Sequence, residues 1–114
     1  MIKFGVLKKI NRISSRKEFG EIKNKGKLIG SPIFGVLVLK KEDDLKKFGF
    51  IISKKISKRA VDRNKIKRRM AEVLRKNLEK FEAGTRMVFL VKREILNKKI
   101  EEIEKEINNL ISNI

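Results

Sequence analysis

The segment spanning residues 48–81 constrains the fold most, because an apolar run passes directly into a basic amphipathic pattern. The apolar run at residues 48–52 predicts a buried strand. The following residues predict a helix over residues 58–80 with Ser57 as its N-cap. Its apolar side chains recur at steps of three and four and therefore share one face: Ile66, Met70, Val73, Leu74, Leu78 and Phe81. That face must pack against a core, while the others meet solvent.

The other faces of this predicted helix are densely cationic. Residues 53–76 contain eleven Lys or Arg residues and only two acids, Asp62 and Glu72. Cations this close together repel one another and weaken an isolated helix, whereas binding a polyanion removes the repulsion and releases counterions. Asn64 lies among them and can both donate and accept hydrogen bonds to a base edge or a 2′-hydroxyl. The pattern favours nucleic acid as a partner over a merely solvated face.

Composition indicates a small basic domain. The 114 residues carry a formal net charge of +17, and 39% of them are charged, which indicates a modest core under a charged surface. No apolar run approaches the length of a membrane span, and residues 1–9 lack the apolar segment of a signal peptide. We therefore expect one domain over residues 1–114, a cytoplasmic location and no membrane partner.

Side-chain catalysis has little support in the composition. The chain contains no His, Cys, Tyr or Trp, which excludes a histidine base, a cysteine nucleophile, a disulfide framework and a zinc finger. Glu42, Asp43 and Asp44 are consecutive in a predicted turn, so their carboxylates are poorly placed to converge on one metal ion. A stand-alone nuclease is therefore the weakest functional hypothesis.

The N-terminal part predicts an irregular basic arm followed by a short helix. The arm covers residues 1–13. Ser15 and Glu18 have the spacing of a capping box, which predicts a helix beginning at Arg16. Gly26 is expected to close this helix, since glycine is able to take the left-handed cap conformation.

Three apolar runs predict the strands of a sheet. Residues 33–39 form a continuous apolar run, which predicts a strand covered on both faces. A hairpin over residues 40–47 should return the chain to an antiparallel strand at 48–53. Residues 87–91 predict a further strand, which the strand–helix–strand connection makes parallel to an earlier one.

The C-terminal segment predicts an amphipathic helix of different character. Its apolar residues repeat at three and four: Leu96, Ile100, Ile103, Ile107, Leu110, Ile111 and Ile114. Asn97 is the expected N-cap. The segment from Arg93 onward contains four basic and five acidic residues, so this helix is not expected to bind a polyanion. Packing on the sheet is favoured over a coiled-coil seam because the helix is short.

Two basic stretches carry a resemblance to a known family. They are Ser53-Lys54-Lys55-Ile56 and Arg63-Asn64-Lys65-Ile66-Lys67-Arg68. The second resembles the R-N-R-type motif on the second helix of the bacterial ribonuclease P protein component. The opening stretch from Leu7 to Ile13, followed by Phe19 and Gly26, also fits that family, and the similarity extends over nearly the whole chain.

The resemblance implies a fold and an activity. The implied fold is α+β, in the order α-β-β-β-α-β-α, with a central mostly antiparallel sheet and an unusual left-handed βαβ crossover, where general handedness rules favour a right-handed one. The family's protein is an accessory subunit of an endoribonuclease that removes the 5′ leader from precursor tRNA. Its RNA subunit carries the chemistry with Mg²⁺, so the protein needs no cofactor of its own. The implied partners are the catalytic RNA and precursor tRNA, and no protein partner is required.

The resemblance also assigns site residues, none of them catalytic or metal-binding. Contacts to the RNA subunit are implied for Arg59, Arg63, Asn64, Lys65, Lys67, Arg68 and Arg69. Contacts to the precursor-tRNA leader are implied for Lys8, Arg12, Phe19, Lys23, Ser53, Lys54 and Lys55. Phe19 would stack on a leader base in a cleft between the first helix and the sheet, contributing on the order of 1–3 kcal/mol. Packing as an ordinary core residue is the alternative for Phe19.

The chain departs from the family pattern at three positions. Lys65 keeps a positive charge but lacks the planar, bidentate fork of arginine. Lys23 and Leu37 occupy positions where aromatic residues are common in the family. Leader binding is therefore expected to depend more on charge and less on stacking.

Size and charge alone also fit a small ribosomal protein. Against this alternative, the basic residues belong to a predicted ordered domain and not to a long tail. A ribosomal protein would co-sediment with ribosomal subunits after a salt wash, which distinguishes the two hypotheses.

Overall fold

The computed structural model describes Leu7–Ile114, and within these residues three helices and four strands follow the predicted order. The elements are α1 (Arg16–Lys25), β1 (Lys27–Gly30), β2 (Phe34–Lys40), β3 (Lys47–Ile51), α2 (Ala60–Lys76), β4 (Thr85–Val91) and α3 (Ile100–Ser112). The α+β class and the element order are therefore confirmed. Residues 1–6 of the predicted arm lie outside the described part of the chain.

The four strands form one mixed sheet in the order β1-β2-β4-β3. β2 is antiparallel to both β1 and β4, whereas β3 is parallel to β4. Two of the three pairings are antiparallel, which confirms a mostly antiparallel sheet. The parallel pair is joined by the crossover that contains α2, also as predicted.

The predicted hairpin between β2 and β3 is wrong, because β4 lies between these two strands. Their connection instead crosses the start of β4. The Lys41 amide donates to the Gly84 carbonyl and the Gly84 amide donates to the Leu45 carbonyl, both at 2.8 Å. Gly84 has φ +89°, and a Cβ there would lie 1.9 Å from the Lys41 carbonyl oxygen, so only glycine fits this crossing.

Side-chain alternation along the strands gives the sheet two different faces. One face packs against α2 and α3, and the rings of Phe34 and Phe89 meet edge to face there with centroids 5.1 Å apart. The apolar stripe of α3 is buried in this cluster, as predicted. The opposite face packs against α1 through a smaller cluster of Ile13, Ile22 and Val88.

The ends of α1 follow the prediction only in part. The Glu18 amide donates to the Ser15 hydroxyl at 3.1 Å, so Ser15 is the N-cap. Gly26 closes α1 as predicted, but with extended backbone at φ −73° and not in the left-handed conformation open to glycine. Glycine is needed there for a different reason: a Cβ would lie 2.4 Å from the Ile22 carbonyl oxygen.

The predicted N-caps of the other two helices are also wrong. α2 begins at Ala60 with Arg59 as its N-cap. The Ser57 oxygen accepts from the Arg59 amide, which lies before the helix, at 3.3 Å, and the Ser57 hydroxyl donates to the Asp62 carboxylate at 3.0 Å. α3 begins at Ile100, because Arg93–Asn97 forms a separate 3-10 turn. No helix within residues 7–114 is long and apolar enough to cross a membrane.

Candidate nucleic-acid interface

The exposed face of α2 carries positive charge that nearby acids do not balance. Ile66 and Met70 are buried, which turns Lys65, Lys67 and Arg68 outward. Both acids of α2 are already engaged: Asp62 lies 3.9 Å from Arg59 Nε, and Glu72 accepts from Arg75 at 3.1 Å. Lys65, Lys67 and Arg68 form no ion pair with any residue in the described part of the chain.

Arg63 and Arg69 lie closer to the body of the protein than their neighbours on α2. Arg63 is half-buried, and its Nη1 donates to the Ser57 carbonyl at 2.7 Å. This bond ties the first turn of α2 to the loop that precedes it. Arg69 is also half-buried, whereas Arg59 and Asn64 are exposed.

A groove of about 640 Å³ runs beside α2, between this helix and the N-terminal arm. Leu7, Phe50, Val61 and Ala71 give it an apolar lining, and Arg12, Asn64, Lys67 and Arg68 supply polar groups. Arg12 reaches this position because its backbone forms a parallel bridge to Phe48 on the free edge of β3. The structure therefore places Arg12 with the α2 residues and not with Phe19. We call Arg12, Asn64, Lys65, Lys67 and Arg68 the helical basic surface.

Phe19 lies on the opposite face of the sheet, where α1 packs. Its ring is half-buried and packs against the cluster of Ile13, Ile22 and Val88. A Cβ on Gly49 would approach two atoms of this ring to 2.8 Å, so the ring rests directly on the backbone of β3. Lys23 is exposed one turn farther along α1. Phe19 is thus a packing residue that is not fully buried.

The part of this face that α1 leaves uncovered is apolar. Leu28 is 63% exposed and Ile51 is 47% exposed, although both belong to strands. Between them lie the exposed Gly30, the half-buried Leu90 and Gly35, which is buried. We call these five residues the sheet shelf.

Basic residues border the sheet shelf where β3 and β4 end. The end of β3 is followed by Ser53, Lys54 and Lys55, and the end of the parallel strand β4 by Lys92 and Arg93. Because the two strands are parallel, all five residues lie at the same end of the sheet. Arg93 Nη2 donates to the Lys55 carbonyl at 2.9 Å, and Lys92 Nζ donates to the Ser31 carbonyl at 2.7 Å. We call Lys54, Lys55, Lys92 and Arg93 the strand-end basic edge. Lys8, also predicted to contact the leader, is exposed at the arm, before its first 3-10 turn.

Sequence reasoning missed Lys92 and Arg93. The balanced charge of the segment from Arg93 onward suggested that it does not contribute to a polyanion site. The available signal was that the carboxyl ends of parallel strands meet at one edge of a sheet, which brings Lys92 and Arg93 beside Lys54 and Lys55.

Sequence reasoning also missed Arg86, which is only 2% exposed. Its guanidinium donates to both carboxylate oxygens of Asp43 and, at 3.0 Å, to the Leu45 carbonyl. Its Nε lies 3.6 Å from Glu18 Oε2, an ion-pair distance longer than a hydrogen bond. Arg86 therefore links β4 to the loop after β2 and to the first turn of α1.

The hydrogen bond from Arg86, with a smaller contribution from the Leu45 amide, holds the pKa of Asp43 below its usual value. The Asp43 carboxylate is therefore already engaged in an ion pair with Arg86. Within residues 7–114, no three His, Cys, Asp or Glu residues are grouped so that they could hold a metal ion.

The fold and the surface define a class: an α+β domain with a four-stranded mixed sheet and concentrated positive charge on two sides. The family model described as Ribonuclease P matches residues 7–114, and the chain belongs to this family. The ribonuclease P protein component of Clostridium botulinum (strain 657) is 33% identical over 104 residues, which cover 90% of this chain and 93% of the relative. That of Syntrophus aciditrophicus is 31% identical over 106 residues, which cover 93% and 88%.

Solved structures agree with this assignment. The RNase P protein of Thermotoga maritima superposes with a TM-score of 0.82 at 25% identity, covering 90% of this chain and 96% of that one. The Staphylococcus aureus RNase P protein gives a TM-score of 0.81 at 25% identity, covering 91% and 94%. Agreement over so much of each chain means that the three proteins share one fold.

Proposed function

We propose that this protein is the accessory subunit of a ribonuclease P ribonucleoprotein, which removes the 5′ leader from precursor tRNA. The observation that carries the proposal is the presence of two separate basic surfaces, one on α2 and one at the strand ends beside an apolar cleft. Two surfaces allow the protein to contact two RNA segments at once, the catalytic RNA and its substrate. Family membership supplies the identity of these RNAs.

The helical basic surface is the proposed contact to the catalytic RNA. Lys65, Lys67 and Arg68 are exposed and unpaired within the described residues, so a phosphate can take their charge without displacing an internal partner. Each phosphate contact releases a counterion, which makes binding steeply dependent on salt. Asn64 offers a donor and an acceptor for an RNA group other than phosphate. Arg59, Arg63 and Arg69 contribute positive charge at the same helix.

The cleft between α1 and the sheet is the proposed contact to the leader. Phe19 gives it an aromatic edge, and Lys23 gives it a cation one turn away. Ser53, Lys54 and Lys55 lie beyond β3 at the edge of the same face. Single-stranded RNA is bound in this way when bases meet apolar or aromatic side chains and phosphates meet cations. The two remaining residues predicted to contact the leader, Lys8 and Arg12, lie on the N-terminal arm, and Arg12 belongs to the helical basic surface.

In the proposed complex, the RNA subunit and its Mg²⁺ carry out the cleavage, and the protein binds and positions the RNA. The chain offers no histidine or cysteine for acid–base or nucleophilic catalysis. Its contribution is to neutralise phosphate repulsion and to hold the leader, which positions the substrate. These effects favour cleavage at Mg²⁺ concentrations at which the RNA alone binds its substrate poorly.

Affinity measurements with two substrates test the proposed leader contact. The complex of this protein with a bacterial ribonuclease P RNA should bind precursor tRNA more tightly than leaderless tRNA, and the Phe19→Ala variant should reduce that difference. Equal affinity of the wild-type complex for the two RNAs would contradict leader binding. An equal loss for both RNAs in Phe19→Ala would show that Phe19 acts only through packing.

A further inference from the structure

We infer that the free edge of β1 is a self-association surface, on which a second copy of this chain pairs its own β1 in antiparallel orientation about a twofold axis. The two four-stranded sheets then form one continuous sheet of eight strands. β1 lies at the edge of the sheet opposite to β3, where Arg12 bridges to Phe48. The helical basic surface therefore lies away from the paired edge, and the inference does not depend on the proposed RNA contacts.

β1 offers unpaired backbone groups at this edge. The Ser31 amide donates to the Phe34 carbonyl at 2.8 Å, which makes these two residues a hydrogen-bonded pair. Such pairs alternate along an antiparallel ladder, so Ile29 bonds to β2, and the N–H and C=O groups of Leu28 and Gly30 point away from it. Within residues 7–114 no strand pairs with this side of β1, and both outward-pointing residues are exposed. Unpaired strand edges of this kind are templates for pairing with another chain.

The side chains on the α1 side of this edge are complementary to their own copies. With the twofold axis at Ile29, the outward-pointing residues pair, and Leu28 lies directly opposite Gly30 of the second copy. Leu28 is 63% exposed, whereas a Cβ at Gly30 would meet no heavy atom within 4 Å. The projecting side chain of each copy therefore has open space to occupy on the other. Gly30 has no positive φ that would itself require glycine, so close approach of another chain accounts for its presence.

The other side chains of β1 face α3 and lie between two grooves of different charge. Lys27 and Ile29 project on this side because side chains alternate along a strand. A groove of about 370 Å³ at the start of β1 has Lys27 and Lys80 in its lining. A second groove of about 410 Å³ at the end of β1 has Glu106 in its lining. Antiparallel pairing places the first groove of one copy against the second groove of the other.

The charges in these grooves favour a copy of this chain over an unrelated protein as the partner. Pairing brings Lys27 of one copy toward Glu106 of the other, and symmetry repeats the contact. Neither residue forms an ion pair with another residue in the range Leu7–Ile114, so no internal pairing has to be broken. Asn109, also in the second groove, adds an amide that can donate or accept. Shape and charge on this one edge are therefore both complementary to themselves.

Net charge gives the association a distinctive salt dependence. Each copy carries a formal charge of +17, so two copies repel one another at low salt. Lys92, which donates to the Ser31 carbonyl, adds to the repulsion at the end of β1. Because salt screens this repulsion, dimerisation is expected to strengthen as salt rises, whereas binding to RNA weakens. A strand of four residues buries little area, so the dimer is expected only at high protein concentration.

Sedimentation equilibrium of the full chain, over a range of protein and salt concentrations, tests the inference. The sample is first freed of RNA with ribonuclease, because residual RNA can also bridge two copies. The wild type should form a dimer whose association constant rises with salt. A wild type that stays monomeric under all conditions would leave the edge to another partner and overturn the inference. A dimer that dissociates as salt rises would overturn it too.

Three variants locate the interface. Gly30→Val fills the open space and should weaken dimerisation at least about tenfold, since the clash occurs twice in a symmetric dimer. Its thermal unfolding midpoint should be unchanged or higher, because valine suits a strand. Leu28→Thr, which removes the projecting side chain, should also weaken dimerisation. The matched control is Ile51→Thr, at a 47% exposed position on the opposite edge strand, and it should change the association constant less than about twofold. Equal constants for Gly30→Val and the wild type, or equal losses for Leu28→Thr and Ile51→Thr, would contradict the inference.

Charge reversal tests the register without altering the packing of Leu28. Lys27→Glu and Glu106→Lys each place like charges together twice, and each should weaken dimerisation by roughly two- to tenfold at an ionic strength that screens the overall repulsion. The double variant has the net charge of the wild type and should restore dimerisation. Equal association constants for the wild type and all three variants would show that Lys27 does not meet Glu106, and the proposed pairing would then be wrong.

Discussion

The ring of Phe19 lies so close to Gly49 that a Cβ on Gly49 would come within 2.8 Å of two ring atoms. This contact fixes the position of α1 over β3, because Phe19 belongs to α1 and Gly49 lies in the middle of β3. The width of the proposed leader cleft therefore depends on the absence of a side chain at residue 49.

Gly49→Ala should displace the Phe19 ring and destabilise the protein. Overpacking of this kind costs typically 1–3 kcal/mol of unfolding free energy, which urea denaturation measures. Gly20→Ala is the control, and it should be neutral or stabilising because alanine is the better helix former. Equal stability of Gly49→Ala and the wild type would mean that α1 is free to shift on the sheet.

Lys67→Ala should weaken binding to the catalytic RNA and lower the slope of log affinity against log salt by roughly one unit. The matched control is Lys105→Ala, because Lys105 is also an exposed helical lysine without an ion-pair partner in the described residues, but lies on the acidic helix α3. Salt titrations of both variants measure the effect. Equal slopes for the two would place Lys67 outside the RNA contact.

Arg63→Ala and Arg68→Ala should differ in their effect on stability. Arg63 donates to the Ser57 carbonyl, so its removal should lower the free energy of unfolding by roughly 0.5–1.5 kcal/mol as well as weaken RNA binding. Arg68 is exposed and makes no such bond to any residue from Leu7 onward, so its removal should affect RNA binding alone. Denaturation and RNA titration of the two variants separate the effects. Equal unfolding free energies for the two variants would contradict the structural role of Arg63.

Asp43→Asn should make the protein less stable at neutral pH and less sensitive to acid. Because Arg86 lowers the pKa of Asp43 in the folded state, the charged carboxylate contributes stability above its unfolded pKa of about 3.9. That contribution is lost as the pH falls through the lower folded value. The variant's stability should therefore vary less with pH below about 4.

The control for this experiment is Glu82→Gln. The pKa of Glu82 is also lowered, by its pairing with Lys40, but that pair lies on the surface and should contribute little. Unfolding midpoints across a pH series measure both variants. Parallel curves for Asp43→Asn and the wild type would show that the Arg86 pairing adds no pH-dependent stability.

Local signals in the sequence predicted most of the elements. Ser15 caps α1 because its hydroxyl and the Glu18 amide are separated by three residues, a spacing that any helix start brings together. The apolar periodicity of Ile103, Ile107 and Leu110 predicted the buried face of α3 for the same reason. These features depend on neighbours along the chain.

Features that depend on distant partners were not predictable in this way. β4 had to pair in parallel with an earlier strand, yet nothing local to it indicated that it would separate β2 from β3. Arg86 is buried because the loop carrying Asp43 and Leu45 folds over it, and nothing local to Arg86 in the sequence indicates that contact. Ser57 is not the N-cap because its oxygen accepts from the Arg59 amide, which lies before the first turn of α2.

In the candidate site, too, residues that are neighbours in the sequence were predictable, and residues brought together by distant strands were not. The motif from Arg63 to Arg68 was recognisable because its residues are contiguous. Arg12 joins that surface, and Arg93 joins Lys55, only through sheet pairing across many residues.

Single-turnover cleavage of a precursor tRNA by a bacterial ribonuclease P RNA at low Mg²⁺, with and without this protein, tests the proposed function most directly. We predict that cleavage at low Mg²⁺ requires both components and that the protein alone cleaves nothing. If the RNA is active by itself at high Mg²⁺ but the protein fails to restore cleavage at low Mg²⁺, the protein is not an accessory subunit of this enzyme.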